Sequence, residues 1–113
     1  MKILIFGAGA WGTALAVNAA KRADGGHHIT LWTRDVAQAV QMQTGGVNAR
    51  YLPSIPLPAA LQIAHGDITT HSQQADLCII ATPMSALRSM LLQLNKVTCP
   101  VVWLCKGFET AQD

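Results

Sequence analysis

An apolar run that ends on a spaced set of glycines leaves a chain few ways to fold. Here Lys2-Ile3-Leu4-Ile5-Phe6 is followed by Gly7, Gly9 and Gly12 at G-x-G-x-x-G spacing, then by the Ala- and Leu-rich stretch Thr13–Arg22. That order predicts a buried strand, a tight turn and a helix. In such a turn the first glycine permits the reversal, and the second lets the main chain approach an anion with no side chain between. The third lets helix and strand pack closely. The helix start adds unpaired N–H groups and a partial positive charge. Together these features suit a dinucleotide pyrophosphate. A glycine-rich hairpin would need alternating spacing, which Thr13–Arg22 lacks. A secretory signal peptide (Lys2, an apolar stretch, small residues near Asn18-Ala19-Ala20) is disfavoured because glycine interrupts the apolar run early.

Further along, strand and helix signals alternate. The first helix is expected from about Trp11 to Arg22, ended by Asp24-Gly25-Gly26. A second strand is expected at His28–Thr33. Asp35 is placed to cap a short helix over Val36–Gln43, which Gly45-Gly46 ends. Pro53, Pro56 and Pro58 make Asn48 to Pro58 an ordered loop rather than a helix or inner strand. Leu61–Ala64 reads as a third strand, Asp67 to Asp76 as a brief helix at best, and Leu77–Ala81 as a fourth strand buried on both faces. Pro83 stands in the first turn of a helix running to about Leu94. Val101–Leu104 is a fifth strand, with Lys106-Gly107 just past its end. The alternation implies a Rossmann-type, doubly wound α/β fold: a mostly parallel sheet of about five strands, helices on both faces and right-handed crossovers. Ligands of such sheets gather at the carboxyl ends of the strands, which puts the glycine loop, Arg34 and Lys106 on one rim.

Composition narrows the classes. With half the residues hydrophobic and 12% charged, the chain has material for a core and no disorder signal. A net charge of +2 argues for neither nucleic acid nor an anionic membrane. No apolar stretch nears the roughly 20 residues of a spanning helix. Cys78, Cys99 and Cys105 are odd in number and fit no metal spacing, so they read as reduced core residues of a cytoplasmic protein. His27, His28, His65 and His71 have no ligand-like partners near in sequence and read as loop or surface residues. No metal is expected.

The end of the second strand bears on cofactor choice. NAD-selective folds place Asp or Glu there, for the ribose hydroxyls. Here it reads Leu31-Trp32-Thr33-Arg34-Asp35. The Arg34 guanidinium matches a 2′-phosphate, Thr33 could add a hydroxyl donor, and Asp35 is left to cap the helix. NADPH is therefore expected to be preferred, with NADH tolerated.

Three longer segments are more specific than the glycine spacing. They are Gly7-Ala-Gly9-Ala10-Trp11-Gly12-Thr13-Ala-Leu-Ala16, Asn48-Ala-Arg-Tyr51-Leu52-Pro53 with Leu57-Pro58, and Leu104-Cys-Lys106-Gly107-Phe-Glu109. In this order and spacing the chain resembles the bacterial NAD(P)-dependent glycerol-3-phosphate dehydrogenases over essentially its whole length. The resemblance implies reduction of dihydroxyacetone phosphate to sn-glycerol 3-phosphate with NADPH or NADH, for phospholipid synthesis. It implies that Ala10 and Trp11 lie against the cofactor phosphates, that Arg34 faces the adenosine end and that Lys106 touches both cofactor and substrate. An ammonium there suits a phosphorylated ketone, since it can hold the substrate and stabilise negative charge on the carbonyl oxygen. Ala10 departs from the family, in which serine is common at that place. The cofactor-binding set is then Gly7, Gly9, Ala10, Trp11, Gly12, Arg34 and Lys106.

Members of that family are considerably longer, and their later part is a helical substrate domain that carries the general acid/base lysine. On this reading residues 1–113 are an incomplete N-terminal NAD(P)-binding domain, with the proton-transfer lysine expected beyond Asp113. Such a piece should bind dinucleotide and turn over little. It should also bare apolar surface, with Val101–Leu104 a candidate for self-association. Two alternatives stay open on the letters alone: a ketopantoate-reductase-like NADPH enzyme, and a non-catalytic dinucleotide-sensing module.

Overall fold

The computed structural model describes residues 1–22 and 27–104. Asp24-Gly25-Gly26, expected to end the first helix, lie outside the described residues, as does everything from Cys105 onward.

Five strands form one sheet: β1 (Lys2–Phe6), β2 (His28–Trp32), β5 (Gln62–Ala64), β6 (Leu77–Ile80) and β7 (Val101–Trp103). Their order is β5-β2-β1-β6-β7, and every pairing in it is parallel. The order reverses between β1 and β6, so the switch point lies where the glycine loop leaves β1. The ladder runs one residue past several strand ends, as the sequence reading had it. Thr33 N–H donates to Ala64 O at 2.9 Å, Ala81 N–H to Phe6 O at 2.8 Å and Leu104 N–H to Ile80 O at 2.8 Å.

Successive side chains of a strand face opposite ways, and this divides the core. From β1, Ile3 and Ile5 meet Ala16, Val17 and Ala20 of α1 (Ala10–Arg22) and Met42 of α2 (Val36–Gly45). Leu4 and Phe6 face the other layer. There Ile68 of α3 (Ile68–Ser72) and Met90 of α4 (Met84–Gln93) close over Cys78 and Ile80. Phe6 also meets Trp32 edge-on, with ring centroids 5.5 Å apart. Each such side chain taken out of water contributes about 1.5–3 kcal/mol, and β1, apolar on both faces, anchors both layers.

Local signals set the helix ends. Asp35 caps α2 as expected, its carboxylate accepting from Ala37 N–H at 2.9 Å and Gln38 N–H at 3.3 Å. The helix runs two residues past Gln43, because the left-handed residue that stops it is Gly46 (φ 72°), whose N–H bonds to Met42 O. Asp67 caps α3 in the same way. Pro83 is itself the N-cap of α4, one place before the first turn in which the sequence put it.

The proline-rich segment differs from the expected loop. Val47–Asn48 (β3) and Leu52–Pro56 (β4) pair as an antiparallel ribbon apart from the main sheet. Proline removes one donor, and each strand of a two-stranded ribbon has an open side where that loss costs nothing.

Candidate functional site

A cleft of about 660 Å³ opens at the carboxyl ends of β1, β2 and β6. Its walls are the loop from Gly7 to Gly12, the turn Thr33–Asp35, Arg50 and Tyr51 in the turn that joins the two strands of the ribbon, and the start of α4.

The three glycines do three different things. Gly7 has φ 112°, and a Cβ on it would stand 2.8 Å from Ala81 O. A side chain there is excluded by both conformation and space. At Gly12 a Cβ would overlap the Gly7 carbonyl and come within 3.3 Å of Ala81 Cβ, so helix and strand meet at contact distance. A Cβ on Gly9 would meet nothing within 4 Å. The middle glycine therefore leaves its face of the loop open, on the side where α1 begins. Thr13 N–H closes the first helical bond to Gly9 O at 3.0 Å, and the amides before it point out of the helix end. That is a cradle for an anion.

Ala10 and Trp11 are exposed and line the cleft. Arg34 is exposed on the same rim, directly after β2. Arg50 lines it as well, with its guanidinium 5.1 Å over the Tyr51 ring. Sequence reasoning gave Arg50 no role, although it stands within a quoted motif. With the carboxylate of Asp35 engaged in its cap, the two guanidinium groups and the helix start give the cleft a positive character. Thr33 differs from expectation. Its hydroxyl turns inward, donating to Gln38 Oε1 at 2.6 Å and accepting from Asp35 N–H at 3.2 Å, so it is not offered to a ligand. Lys106 lies outside the described residues. Leu104, the last residue described, lines the cleft.

Beneath the loop is a buried polar network to which sequence reasoning gave no role, although Asn48 and Thr13 stand within two of the specific segments. Asn48 is fully buried, and its Nδ2 donates to Ala8 O at 2.9 Å and to Thr13 Oγ1 at 2.8 Å. Gln38 Nε2 donates to the same Ala8 carbonyl at 2.8 Å. Side chains of α2 and β3 thus hold the glycine loop from below. Thr82, after β6, is nearly buried at the cleft wall, and its Oγ1 has no partner among the described residues. Open space at Gly9, free helix-end amides, two guanidinium groups and an unpartnered hydroxyl fit a polar, phosphate-bearing ligand such as a dinucleotide.

Comparison with known proteins agrees. The family described as NAD-dependent glycerol-3-phosphate dehydrogenase N-terminus matches residues 2–113. The chain belongs to this family. The match decides against a ketopantoate-reductase-like assignment, and the cofactor class of the family is NAD(P).

Among relatives of glycerol-3-phosphate dehydrogenase [NAD(P)+] type, that of Delftia acidovorans is 60% identical over 109 residues, covering 96% of this chain and 32% of its own length. That of Variovorax paradoxus is 53% identical over 113 residues, covering all of this chain and 32% of its own. The chain therefore spans about a third of the length of the relatives it matches. Among solved structures, glycerol-3-phosphate dehydrogenase from Coxiella burnetii superposes with a TM-score of 0.77 at 32% identity, over 94% of this chain and 34% of that one. The Saccharomyces cerevisiae enzyme, at 24% identity and a TM-score of 0.81 over 94% of this chain and 33% of its own, shares the fold. Among the described residues no group of three His, Cys, Asp or Glu stands together, and no helix is long and apolar enough to cross a membrane.

Proposed function

We propose that these 113 residues are the NAD(P)-binding part of an oxidoreductase that reduces dihydroxyacetone phosphate to sn-glycerol 3-phosphate in the cytoplasm, for glycerophospholipid synthesis. The observation that carries the reading is the glycine-loop cleft at the switch point of the sheet. Family membership across residues 2–113 supports the substrate. Gly7, Gly9, Ala10, Trp11 and Gly12 form the wall for the pyrophosphate, and the amides at the start of α1 donate to it. Arg34 takes the 2′-phosphate, so NADPH is preferred and NADH accepted. Lys106 contacts both cofactor and substrate and stabilises charge on the carbonyl oxygen.

When bound, the nicotinamide supplies hydride, and the protein supplies position and charge. Proton transfer to the carbonyl oxygen is assigned to a lysine of a helical substrate domain beyond Asp113, for which the relatives have the length. These residues by themselves then bind cofactor and turn over little. Self-association through the open edge of β7 is part of the same proposal, and the exposure of Val102, Trp103 and Leu104 supports it.

Calorimetric titration tests the reading. The chain should bind both NADPH and NADH saturably, and a folded sample that answers to neither overturns the proposal. Arg34→Ala should weaken NADPH about tenfold, as expected for losing a charge-assisted contact of about 1.5 kcal/mol at an exposed position, and leave NADH nearly unchanged. Equal losses for both would remove Arg34 from the assignment. The substrate is tested in the full-length protein by dihydroxyacetone-phosphate-dependent oxidation of NADPH. Cofactor affinity without turnover would favour a sensing module.

A further inference from the structure

Two thiols away from the cleft stand in each other's reach. Cys78, on β6, is completely buried in the layer under α3 and α4. Cys99, two residues before β7, is half-buried against the same cluster. The chain brings them together through the sheet, for Cys78 N–H donates to Pro100 O at 3.0 Å and Cys78 pairs with Val101. Their Sγ atoms are 3.6 Å apart, although the residues are 21 positions apart in sequence. Neither lines the cleft. One residue is fully buried and its neighbour partly exposed, an arrangement that separates a thiol oxidised first from a thiol that resolves it.

We propose that Cys78 and Cys99 form a reversible intramolecular disulfide on exposure to hydrogen peroxide. The Cys99 thiolate attacks one peroxide oxygen and the O–O bond breaks, giving a sulfenic acid and a hydroxide that is protonated to water. The Cys78 sulfur then attacks Cys99 Sγ. The S–S bond forms, the S–O bond breaks, and the departing hydroxide leaves as water with the Cys78 proton. Two thiols are oxidised and one peroxide is reduced to two waters. Closing 3.6 Å to a bond of about 2.05 Å takes side-chain rotation and a small shift of the segment before β7. Burial holds the proton on Cys78, so the second step is the slow one. The bridge would enclose α4 and tie the approach to the edge strand to β6.

The chain carries three cysteines, and Cys105→Ser leaves only this pair. The variant is treated with peroxide, and intact mass, free thiols and linked peptides are followed before and after dithiothreitol. The expected product has lost the mass of two hydrogen atoms and both thiols together. It yields one linked peptide joining Cys78 to Cys99, unfolds at higher temperature and reverts on reduction. A further Cys99→Ser change abolishes it. Oxygen gained at Cys99 while Cys78 stays titratable, a cross-link between two chains, or two thiols that persist would each overturn the proposal. If Cys105→Ser does not fold, peptide mapping of the unaltered chain gives the same answer, with Cys105 required to remain unpaired from either partner.

Discussion

Gly9 and Gly12 stand one helical turn apart and are glycines for opposite reasons. A Cβ on Gly12 would overlap the Gly7 carbonyl, whereas one on Gly9 would meet nothing within 4 Å. Gly12→Ala should therefore destabilise the fold by about 1–3 kcal/mol or more, the cost of forcing a methyl into packed contact. Gly9→Ala should leave unfolding by urea within about 0.5 kcal/mol of the parent. It should weaken NADPH and NADH binding together, by about tenfold, because its methyl stands on the open face of the loop where a charge-assisted contact would be lost. Thermal or urea unfolding paired with titration separates the two. A Gly9→Ala chain that binds normally would remove the close main-chain approach. The spacing of these residues was plain in the sequence. The reason each must be glycine came from what surrounds it.

At the scale of elements, the ribbon β3–β4 and helix α2 act through one buried amide. Asn48 joins the ribbon to Ala8 and Thr13, 40 and 35 positions away, and Gln38 of α2 joins the same Ala8 carbonyl. Asn48→Ala would strip Thr13 Oγ1 of a donor, take one of two donors from Ala8 O and leave a cavity, at a cost of about 2–4 kcal/mol in urea unfolding. Asn48→Asp keeps the shape but turns an acceptor toward a carbonyl, and should be at least as damaging. Both changes should lower dinucleotide affinity, since the loop they release forms the cleft wall. The strand and helix alternation, the cap Asp35 and the helix stop near Gly45-Gly46 were legible from local chemistry, whereas the cap Asp67 came from the structure. The ribbon was not, because three prolines argue against an inner strand and say nothing against a pair of strands with open sides.

At the scale of the molecule, stability should depend on pH through Cys78. Burial pushes this thiol from 9.0 up to about 12, and the Cys99 sulfur beside it adds to the effect. The folded state then keeps a proton that the unfolded chain gives up. This contribution is complete below about pH 9 and is lost as pH rises toward 12. Urea midpoints taken across that window, under a non-thiol reductant, should fall more steeply for the parent than for Cys78→Ala. Parallel slopes would show that the thiol ionises as freely in the folded chain as in the unfolded one.

What the linear order of residues determined by itself was the class of fold and the place of its loop. Apolar runs, helical spacing and turn glycines are local properties, and a right-handed alternation of strand and helix leaves one economical sheet. Tertiary structure alone decided which groups are available at the cleft. Thr33 turned its hydroxyl into the protein, Arg50 joined Arg34 on the rim, Thr82 kept a hydroxyl without a partner among the described residues, and Cys78 met Cys99. Whether a polar atom is satisfied, exposed or paired depends on neighbours drawn from distant parts of the chain, and only packing brings those together.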